Sequence, residues 1–303
     1  MTEDTPHERG HGGSWLVTEY VYSPSGAFLG AIRQRRQVEL VEPGRIRVVL
    51  DWALGAELAG GAMEAFAGHH VFDMIADGRA RRYLGPAVLG TGLTWGEGAM
   101  TGKGLWPEVG HDFSTFAVVS EPGLQFTGTK FFNGPEMVAN LVGVAVPESA
   151  DEPAWPELSG TQLAHEVATE WTGSLRTVDA QGELNSEVAL IRRYTETSEA
   201  LEFKEFRDGR GSALRLAIED DGGHLHVGGR SLRSPFQGLG KRYGWGTELT
   251  LYLPAGRRVD WMEVLDAGRG RLVGLRRWWA DGALYRVEVM TLRPKGTANP
   301  DIA

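Results

Sequence analysis

Cysteine is missing from the 303 residues of this chain. Its absence excludes disulfide bonds, thiolate metal sites, iron–sulfur clusters and a cysteine nucleophile. Long apolar runs are missing too, and no stretch approaches the roughly 18 residues of a membrane-spanning helix. The polar N-terminal segment MTEDTPHERGHGGSW lacks the basic and apolar regions of a signal peptide. We therefore expect a cytoplasmic protein without a membrane partner.

Positive charge is scarce: 31 Lys and Arg residues stand against 40 Asp and Glu residues, which gives a formal net charge of −9. A broad nucleic-acid interface needs an excess of basic side chains, so we expect no nucleic-acid partner. Hydrophobic residues make up 42% of the chain, which is enough to bury a core. The 42 glycines and 14 prolines are spread along the sequence and favour many short strands joined by tight turns.

Two segments of the chain carry the same pattern. Each has the pattern of a strand opened by Trp, a polar turn that contains Gly, and a longer second strand that contains Arg. The three residues recur at a constant offset of 156 positions, as Trp15, Gly26 and Arg36 and then as Trp171, Gly182 and Arg192. This repetition predicts an internal duplication of about 150 residues per unit.

The predicted boundaries follow from this repeat and from local composition. The first unit covers 13–147 and the second 166–293, with flexible tails at 1–12 and 294–303. Segment 148–165 has four acidic residues, two prolines and no Lys or Arg, which is typical of an acidic linker. Short β-rich runs separated by turns predict about nine antiparallel strands per unit. Segment 51–70 is rich in Ala, Leu and Met, and predicts a short helix or a lid over the mouth of a barrel.

The start of the first unit, Gly13-Ser14-Trp15, matches the Gly-x-Trp start of the calycin superfamily, to which the lipocalins belong. The chain resembles that superfamily, and its tandem arrangement is similar to the carotenoid hydratase-like family and to related double-barrel cyclases of natural-product pathways. The resemblance implies an all-β fold of two tandem lipocalin-like antiparallel β-barrels packed together, with Arg286 placed over Trp171. The family's Glu-Trp-Trp-Tyr run is reduced here to Glu170-Trp171, so the resemblance transfers no active site.

A glycine-rich stretch, 90–113, has the richest set of chemical groups in the first unit. If this stretch is a strand, Leu93, Trp95 and Glu97 share one face. A carboxylate beside an indole in a poorly solvated barrel has a raised pKa, which suits a general acid or base near neutral pH. The alternative places Glu97 at the rim, where it pairs with Lys103.

Three histidines lie in the body of the first unit: His69, His70 and His111. They lack the His-x-His and His-x-x-x-His spacings of metal sites, so we expect no metal. His70 or His111 is instead predicted to be the acid/base partner of Glu97. No Gly-x-Gly-x-x-Gly motif opens a strand–helix unit and no Gly-x-Ser-x-Gly elbow is present, so we expect no cofactor and no serine hydrolase.

Candidate ligand contacts come from both units. Arg36 is predicted to orient an oxygen of the ligand, although a one-residue slip would turn Arg35 inward in its place. The second unit offers a Tyr and a Trp without a neighbouring carboxylate, and is interpreted as a supporting barrel. The full set of predicted ligand contacts is Trp95, Trp106, Arg36, Lys103, Tyr243 and Trp245.

These observations predict a cofactor-independent isomerase, cyclase or hydratase/lyase that acts by acid/base catalysis on a small apolar metabolite in natural-product biosynthesis. A non-catalytic carrier or sensor of a hydrophobic small molecule fits the same barrel, and so does a structural protein with filled barrels. Titratable groups that converge in one pocket favour catalysis, whereas an all-apolar pocket favours binding alone. The sequence leaves both a monomer and a homodimer open.

Overall fold

The computed structural model describes residues 11–96, 98–148, 163–197, 200–231, 234–266 and 268–296. The chain divides into two compact units, Met1–Leu158 and Ser159–Ala303. Each unit forms its own closed antiparallel barrel of ten strands. The predicted all-β fold of two tandem antiparallel barrels is therefore confirmed, with ten strands in each barrel where about nine were expected. The predicted acidic linker and both predicted tails lie largely outside the described residues.

The first barrel is an up-and-down meander in which every strand pairs with its sequence neighbours and the last strand pairs with the first. Its strands are β1 (Gly13–Tyr22), β2 (Phe28–Glu42), β3 (Arg45–Leu54), β4 (Gly68–Asp77), β5 (Ala80–Leu84), β6 (Leu89–Thr94), β7 (Ala99–Trp106), β8 (His111–Glu121), β9 (Leu124–Asn133) and β10 (Glu136–Pro147). Closure of the sheet gives the edge backbone groups of β1 and β10 hydrogen-bond partners.

The second barrel repeats this topology after a short helix, α1 (Ala164–Val167). Within the described ranges, no helix is long and apolar enough to span a membrane. The strands of the second barrel are β11 (Glu170–Asp179), β12 (Leu184–Glu196), β13 (Leu201–Arg207), β14 (Arg210–Asp221), β15 (His224–Ser231), β16 (Ser234–Tyr243), β17 (Gly246–Leu253), β18 (Arg257–Asp266), β19 (Arg271–Ala280) and β20 (Ala283–Pro294).

Alternation along the strands places the core inside each barrel. In β3, Ile46, Val48, Leu50 and Trp52 are buried, while the residues between them are more exposed. Successive side chains of a strand point to opposite faces, so one face of each strand supplies the barrel interior. Because the sheet is closed, those inward faces converge, and the interior must either fill with side chains or enclose a ligand.

The predicted repeat corresponds to a structural repeat. Trp15 lies opposite Arg36 in the β1–β2 pair, and Trp171 lies opposite Arg192 in the β11–β12 pair. The turn glycines, Gly26 and Gly182, both have φ of 90°. Glycine adopts such a backbone conformation without the steric cost that a Cβ brings, which explains why both turns contain it.

The Trp that opens each barrel also forms hydrogen bonds to the segment that precedes the barrel. Trp15 Nε1 donates a hydrogen bond to the carbonyl oxygen of Gly12 at 3.1 Å. Trp171 Nε1 donates to the carbonyl oxygens of Ala164 and Ala168, each at 3.0 Å. The expectation that Arg286 lies over Trp171 was wrong. Its guanidinium stacks on Trp278 at 4.1 Å from the ring centroid, because β20 places Arg286 near the other end of the barrel from Trp171.

The segment between β3 and β4 covers one end of the first barrel. In place of the predicted helix it forms two 3₁₀ turns, Ala56–Leu58 and Glu64–Phe66. Gly60, with φ of 72°, and Gly61 separate the turns and prevent a continuous helix. The segment buries three apolar side chains against the aromatic residues of the barrel end, namely Leu58, Met63 and Phe66. We call this segment, residues 55–67, the plug.

We predict that Gly26→Ala and Gly182→Ala each lower the free energy of unfolding by about 1 kcal/mol or more, because alanine at a positive φ is strained. Urea unfolding followed by tryptophan fluorescence measures the loss. The control is Gly228→Ala in β15, where a Cβ meets no heavy atom within 4 Å. An equal loss in all three variants would contradict the assignment of strain to the two turns.

Candidate functional site

The first barrel encloses a cavity of about 380 Å³. This volume lies in the range of small-molecule sites in proteins. Most of its wall is aliphatic or aromatic, and includes Ile46, Val48 and Leu50 of β3. At the plug end the wall contains Trp52 and Trp106, whose ring centroids are 5.4 Å apart. Trp106, one of the predicted ligand contacts, thus lies in the cavity wall.

Glu19 introduces a carboxyl group into this apolar wall. It follows Trp15 and Val17 on the inward face of β1 and is only 5% exposed. Its Oε1 accepts a hydrogen bond from Thr127 Oγ1 at 3.3 Å, while its Oε2 is buried without a hydrogen-bond partner among the described residues. Burial raises the pKa of Glu19 to about 7, although Arg36 and Thr127 favour its charged form. Both protonation states are therefore accessible near neutral pH.

Glycine at position 143 makes room for this carboxylate. Gly143 of β10 lies directly opposite Glu19, and a Cβ there would come within 2.7 Å of Glu19 Cγ. Such a distance is shorter than a non-bonded carbon contact permits. The absence of a side chain at Gly143 therefore provides the space that the side chain of Glu19 occupies.

Arg36 is the second charged group of the cavity. It points inward from β2, whereas Arg35 is exposed, which resolves the register that the sequence left open. Its Nη2 donates a hydrogen bond to Gln125 Oε1 at 2.6 Å. Burial lowers the pKa of Arg36 to about 10, and the charge of Glu19 opposes that shift. Arg36 therefore stays cationic at neutral pH.

Among the described residues, three further titratable groups line the cavity. His11, in the segment before β1, has its pKa lowered to about 4 by burial and by the charge of Arg36, so it is neutral at pH 7. Arg81 of β5 is buried, and its Nη1 donates to the carbonyl oxygens of Gly78 and Ala80 at 2.7 and 2.8 Å. Burial raises the pKa of Tyr83 to about 12.

The predicted acid/base group Glu97 lies outside the described residues. β6 ends at Thr94, so the described residue Trp95 does not continue the strand that was predicted to place it on one face with Leu93. Gly96 and Gly98 have φ of 57° and 81°, and turn the chain there. Trp95 therefore does not line the cavity. It is buried in the turn, where Nε1 donates to Thr101 Oγ1 at 2.9 Å and Arg79 stacks on the ring. Lys103 is exposed on β7 and does not line the cavity either.

His70 and His111 lie against the plug rather than in the cavity. His70 is buried, with Nε2 2.8 Å from the carbonyl oxygen of Phe66 and its ring edge-on to Trp106 at 4.9 Å between centroids. His111 Nδ1 lies 2.9 Å from the carbonyl oxygen of Val109. Each ring is held by a backbone carbonyl, so neither predicted histidine reaches the group around Glu19.

The second barrel has a different interior. At the end where α1 lies, a pocket of about 740 Å³ is lined in part by Trp245, while Tyr243 is buried and lies outside that lining. Glu263 also lines this pocket, and Arg192 Nη2 donates to Glu205 Oε1 and to Glu263 Oε1, both at 2.7 Å. Arg276 also donates to both carboxylate oxygens of Glu205. These opposite charges hold the pKa of Glu205 at about 2 despite its burial.

The strand registers show which residues correspond in the two barrels. Arg36 lies opposite Leu50, and Arg192 lies opposite Glu205. Glu19 and Leu175 occupy the same place, four residues after the opening Trp. Following the ladder from each of them across three strands leads to Gly143, Thr127 and Ala117 in the first barrel, and to Met290, Gly274 and Glu263 in the second. The first barrel thus has Leu50 and Ala117 where the second has carboxylates.

Glu19 was not among the residues predicted from the sequence, although two signals for it were present. Trp15, Val17, Glu19 and Val21 alternate along β1, which places a carboxyl group on a face that is otherwise apolar. At the offset of 156, Glu19 aligns with Leu175. The polar residues around it, such as Gln125 and Thr127, lie more than 100 positions away along the chain and gave no local signal.

No family model and no curated protein matches this chain. Among solved structures, a protein of unknown function from Nostoc punctiforme, of the DUF3598 family, is similar over 94% of this chain and 96% of its own, with a TM-score of 0.58 and 11% identity. Kievitone hydratase from Nectria haematococca matches with a TM-score of 0.20, 8% identity and coverage of 96% and 92%. Transferrin binding protein B from Haemophilus parasuis matches with a TM-score of 0.24, 8% identity and coverage of 92% and 75%. The similarity to the Nostoc protein shows the fold alone, and the other two matches support no conclusion about this chain.

We predict that Glu19→Gln stabilises the protein at high pH. The unfolded carboxyl group ionises near pH 4.5 and the folded one near pH 7, so the contribution of Glu19 to the unfolding free energy falls as pH rises through this window. The variant should therefore gain about 3 kcal/mol more over wild type at pH 8 than at pH 4. Urea unfolding at the two pH values measures this difference. The exposed residue Glu39 supplies the control, Glu39→Gln, and an equal gain at both pH values would contradict the prediction.

The two equivalent arginines should respond differently to substitution by methionine. Arg192→Met leaves Glu263 and Glu205 short of a buried counter-charge and should cost about 3–5 kcal/mol. Arg36→Met removes a desolvated cation that forms no close ion pair with a described residue, and should change the unfolding free energy by about 1 kcal/mol at most or increase it. Urea unfolding of both variants tests the contrast. A similar large loss in both would show that Arg36 has a compensating partner.

Proposed function

We propose that the first barrel is the site of a cofactor-independent acid/base enzyme that acts on a small, largely apolar metabolite. Glu19 transfers the proton, Arg36 holds an oxygen of the substrate, and Trp106 shapes the wall of the pocket. The reaction is an isomerisation, a cyclisation or a hydration/elimination. Glu19 takes the place that the sequence analysis gave to Glu97.

The observation that carries this proposal is the carboxyl group of Glu19 in an apolar cavity. Buried carboxyl groups without a close ion pair are rare because they cost stability. The second barrel has Leu175 at the equivalent position, so a ten-stranded barrel of this kind forms without a carboxyl group there. A costly group that the fold does not require, with a pKa near 7, is characteristic of a functional site.

The chemistry needs only the side chains of the cavity and, for a hydration, one water molecule. Protonated Glu19 donates its proton to one atom of the substrate, and in an isomerisation, a cyclisation or an elimination the carboxylate that remains accepts a proton from another atom of the same molecule. In a hydration the carboxylate instead accepts a proton from the water whose hydroxyl group adds to the substrate. This exchange regenerates Glu19 and requires no external oxidant, reductant or cofactor. A pKa near 7 lets the group work in both directions, and such proton transfer contributes about 10²–10⁴-fold to a rate. Arg36 stabilises negative charge as it develops on a substrate oxygen.

A carrier or sensor of a hydrophobic molecule is the second candidate. The observation that favours it is the predominantly aliphatic and aromatic wall, which binds an apolar body without any chemistry. A carrier does not need a titrating carboxyl group, however, so the two candidates differ in what they predict for Glu19.

The test compares wild type, Glu19→Gln and Glu39→Gln after incubation with a small-molecule extract of the expressing cells. Native mass spectrometry identifies bound molecules, and chromatography detects their conversion. We expect Glu19→Gln to retain a molecule that wild type and Glu39→Gln convert, with a rate reduced by about 10²–10⁴-fold in Glu19→Gln. The rate of wild type should change with an apparent pKa near 7. Retention of one unchanged molecule by all three proteins would establish a carrier and reject the enzyme.

A further inference from the structure

The repeated arginine has close carboxylate partners in the second barrel, whereas in the first it has none among the described residues. In the second barrel, Arg192 donates through Nε and Nη2 to Glu205, and through Nη1 and Nη2 to Glu263. In the first barrel, the polar interactions of Arg36 with described residues are a hydrogen bond to the neutral amide of Gln125 and the more distant attraction of Glu19. Arg36 Nε is buried and has no hydrogen-bond partner within the described ranges.

Without these close partners, the charge of Arg36 is not compensated by a described residue, and the space that such partners would fill is also available. Leu50 and Ala117 occupy the places of Glu205 and Glu263, and both line the cavity. Two other large side chains of the second barrel also have small counterparts by the same register: Trp261 corresponds to Thr115, and Arg276 to Thr129. Both threonines line the cavity as well. The cavity therefore extends to the region where the second barrel keeps the counter-ions of its arginine.

From this comparison we infer that the ligand of the first barrel carries a carboxylate, which pairs with Arg36 as Glu205 and Glu263 pair with Arg192. The inference deepens the proposed function by naming the class of substrate. The ligand is a small carboxylic acid whose body is apolar, because the rest of the wall is aliphatic and aromatic. Arginine suits this task since its planar guanidinium binds a carboxylate through two parallel hydrogen bonds.

Glu19 is the internal competitor for Arg36. Below pH 7 its carboxyl group is largely protonated and leaves the arginine to the ligand, whereas above pH 7 its negative charge repels a carboxylate. The other titratable groups that line the cavity within the described part of the chain do not change their charge between pH 5.5 and 8.5. His11 has a pKa near 4, Tyr83 has one near 12, and Arg81 stays cationic. Acid binding should therefore weaken as pH rises through 7.

The experiment measures binding of matched probes by isothermal titration calorimetry. The probes are cinnamic, phenylbutyric and octanoic acids, each compared with its own amide, which has nearly the same size but no charge. We expect at least one acid to bind wild type about tenfold or more tightly than its amide at pH 6. Arg36→Met should remove this preference. If no acid is preferred over its amide, or if Arg36→Met keeps the preference, the inference is overturned.

A second pair of variants tests the counter-ion idea without touching Arg36. Ala117→Glu supplies the carboxylate that Glu263 provides in the other barrel, and should abolish the preference for acids. Ala117→Gln adds nearly the same volume without charge and should retain it. Equal effects of the two substitutions would contradict the inference, because they would reflect lost space alone. Circular dichroism confirms that both variants fold.

The pH dependence provides a third readout. The advantage of acid over amide should shrink for wild type between pH 6 and pH 8.5, while Glu19→Gln should keep it at both values. A pH-independent advantage in wild type would contradict the competition between Glu19 and the ligand for Arg36.

These measurements separate the substrate class from the proposed reaction. An acid preference that depends on Arg36, without Glu19-dependent conversion of any molecule, would support the inference and reject the enzyme. Glu19-dependent conversion of a neutral molecule, without an acid preference, would overturn the inference and leave the proposed function standing.

Discussion

A buried guanidinium is costly unless negative charge lies close to it, and the interiors of the two barrels differ in whether the described residues supply that charge. Arg36 and Arg192 occupy the same place relative to the Trp that opens each barrel. Around Arg192, carboxylates from β13 and β18 and a second arginine from β19 occupy the interior. Around Arg36, those positions hold aliphatic or small residues, and a cavity remains. One repeated charge therefore produces an ion-pair network in one copy and a candidate binding site in the other.

The two interiors also differ in what they contribute to stability. The carboxylate of Glu205, whose pKa is about 2, stabilises the folded chain above the pH at which an unfolded Glu ionises. Glu19 has the opposite shift, so its burial opposes folding at neutral pH. Functional sites commonly contain groups that lower stability, because selection acts on what they do rather than on their energetic cost. The two barrels therefore share a topology but differ in how the charged groups of their interiors affect stability.

Local sequence patterns predicted the fold class and the internal repeat of this molecule well. The all-β fold and the Trp–Gly–Arg repeat were readable because each depends on strand alternation or on a nearby turn, whereas the tandem barrels followed from the resemblance to the calycin superfamily. The sequence left open whether Arg35 or Arg36 points inward. The site was harder to predict, because Glu19 meets Thr127 and Arg36 meets Gln125 across sequence separations of 108 and 89 residues. The glycine-rich stretch 90–113 was predicted to hold the site because of its composition, yet β6 ends at Thr94 and is followed by Gly96 and Gly98 at positive φ. Alternation along β1 and the alignment of the two repeats, with Leu175 against Glu19, were the signals that could have pointed to the buried carboxyl group.

The proposed ligand and the proposed chemistry are linked through Arg36. A carboxylate bound beside this arginine lowers the positive potential that Glu19 senses, so the pKa of Glu19 should rise above about 7 in the complex. Binding an anion and protonating Glu19 therefore favour each other, since linkage between two sites is reciprocal. At neutral pH the complex would then enter the reaction with Glu19 as an acid. The first proton transfer would run from the enzyme to the substrate, and the second would return a proton from another atom of that substrate to Glu19.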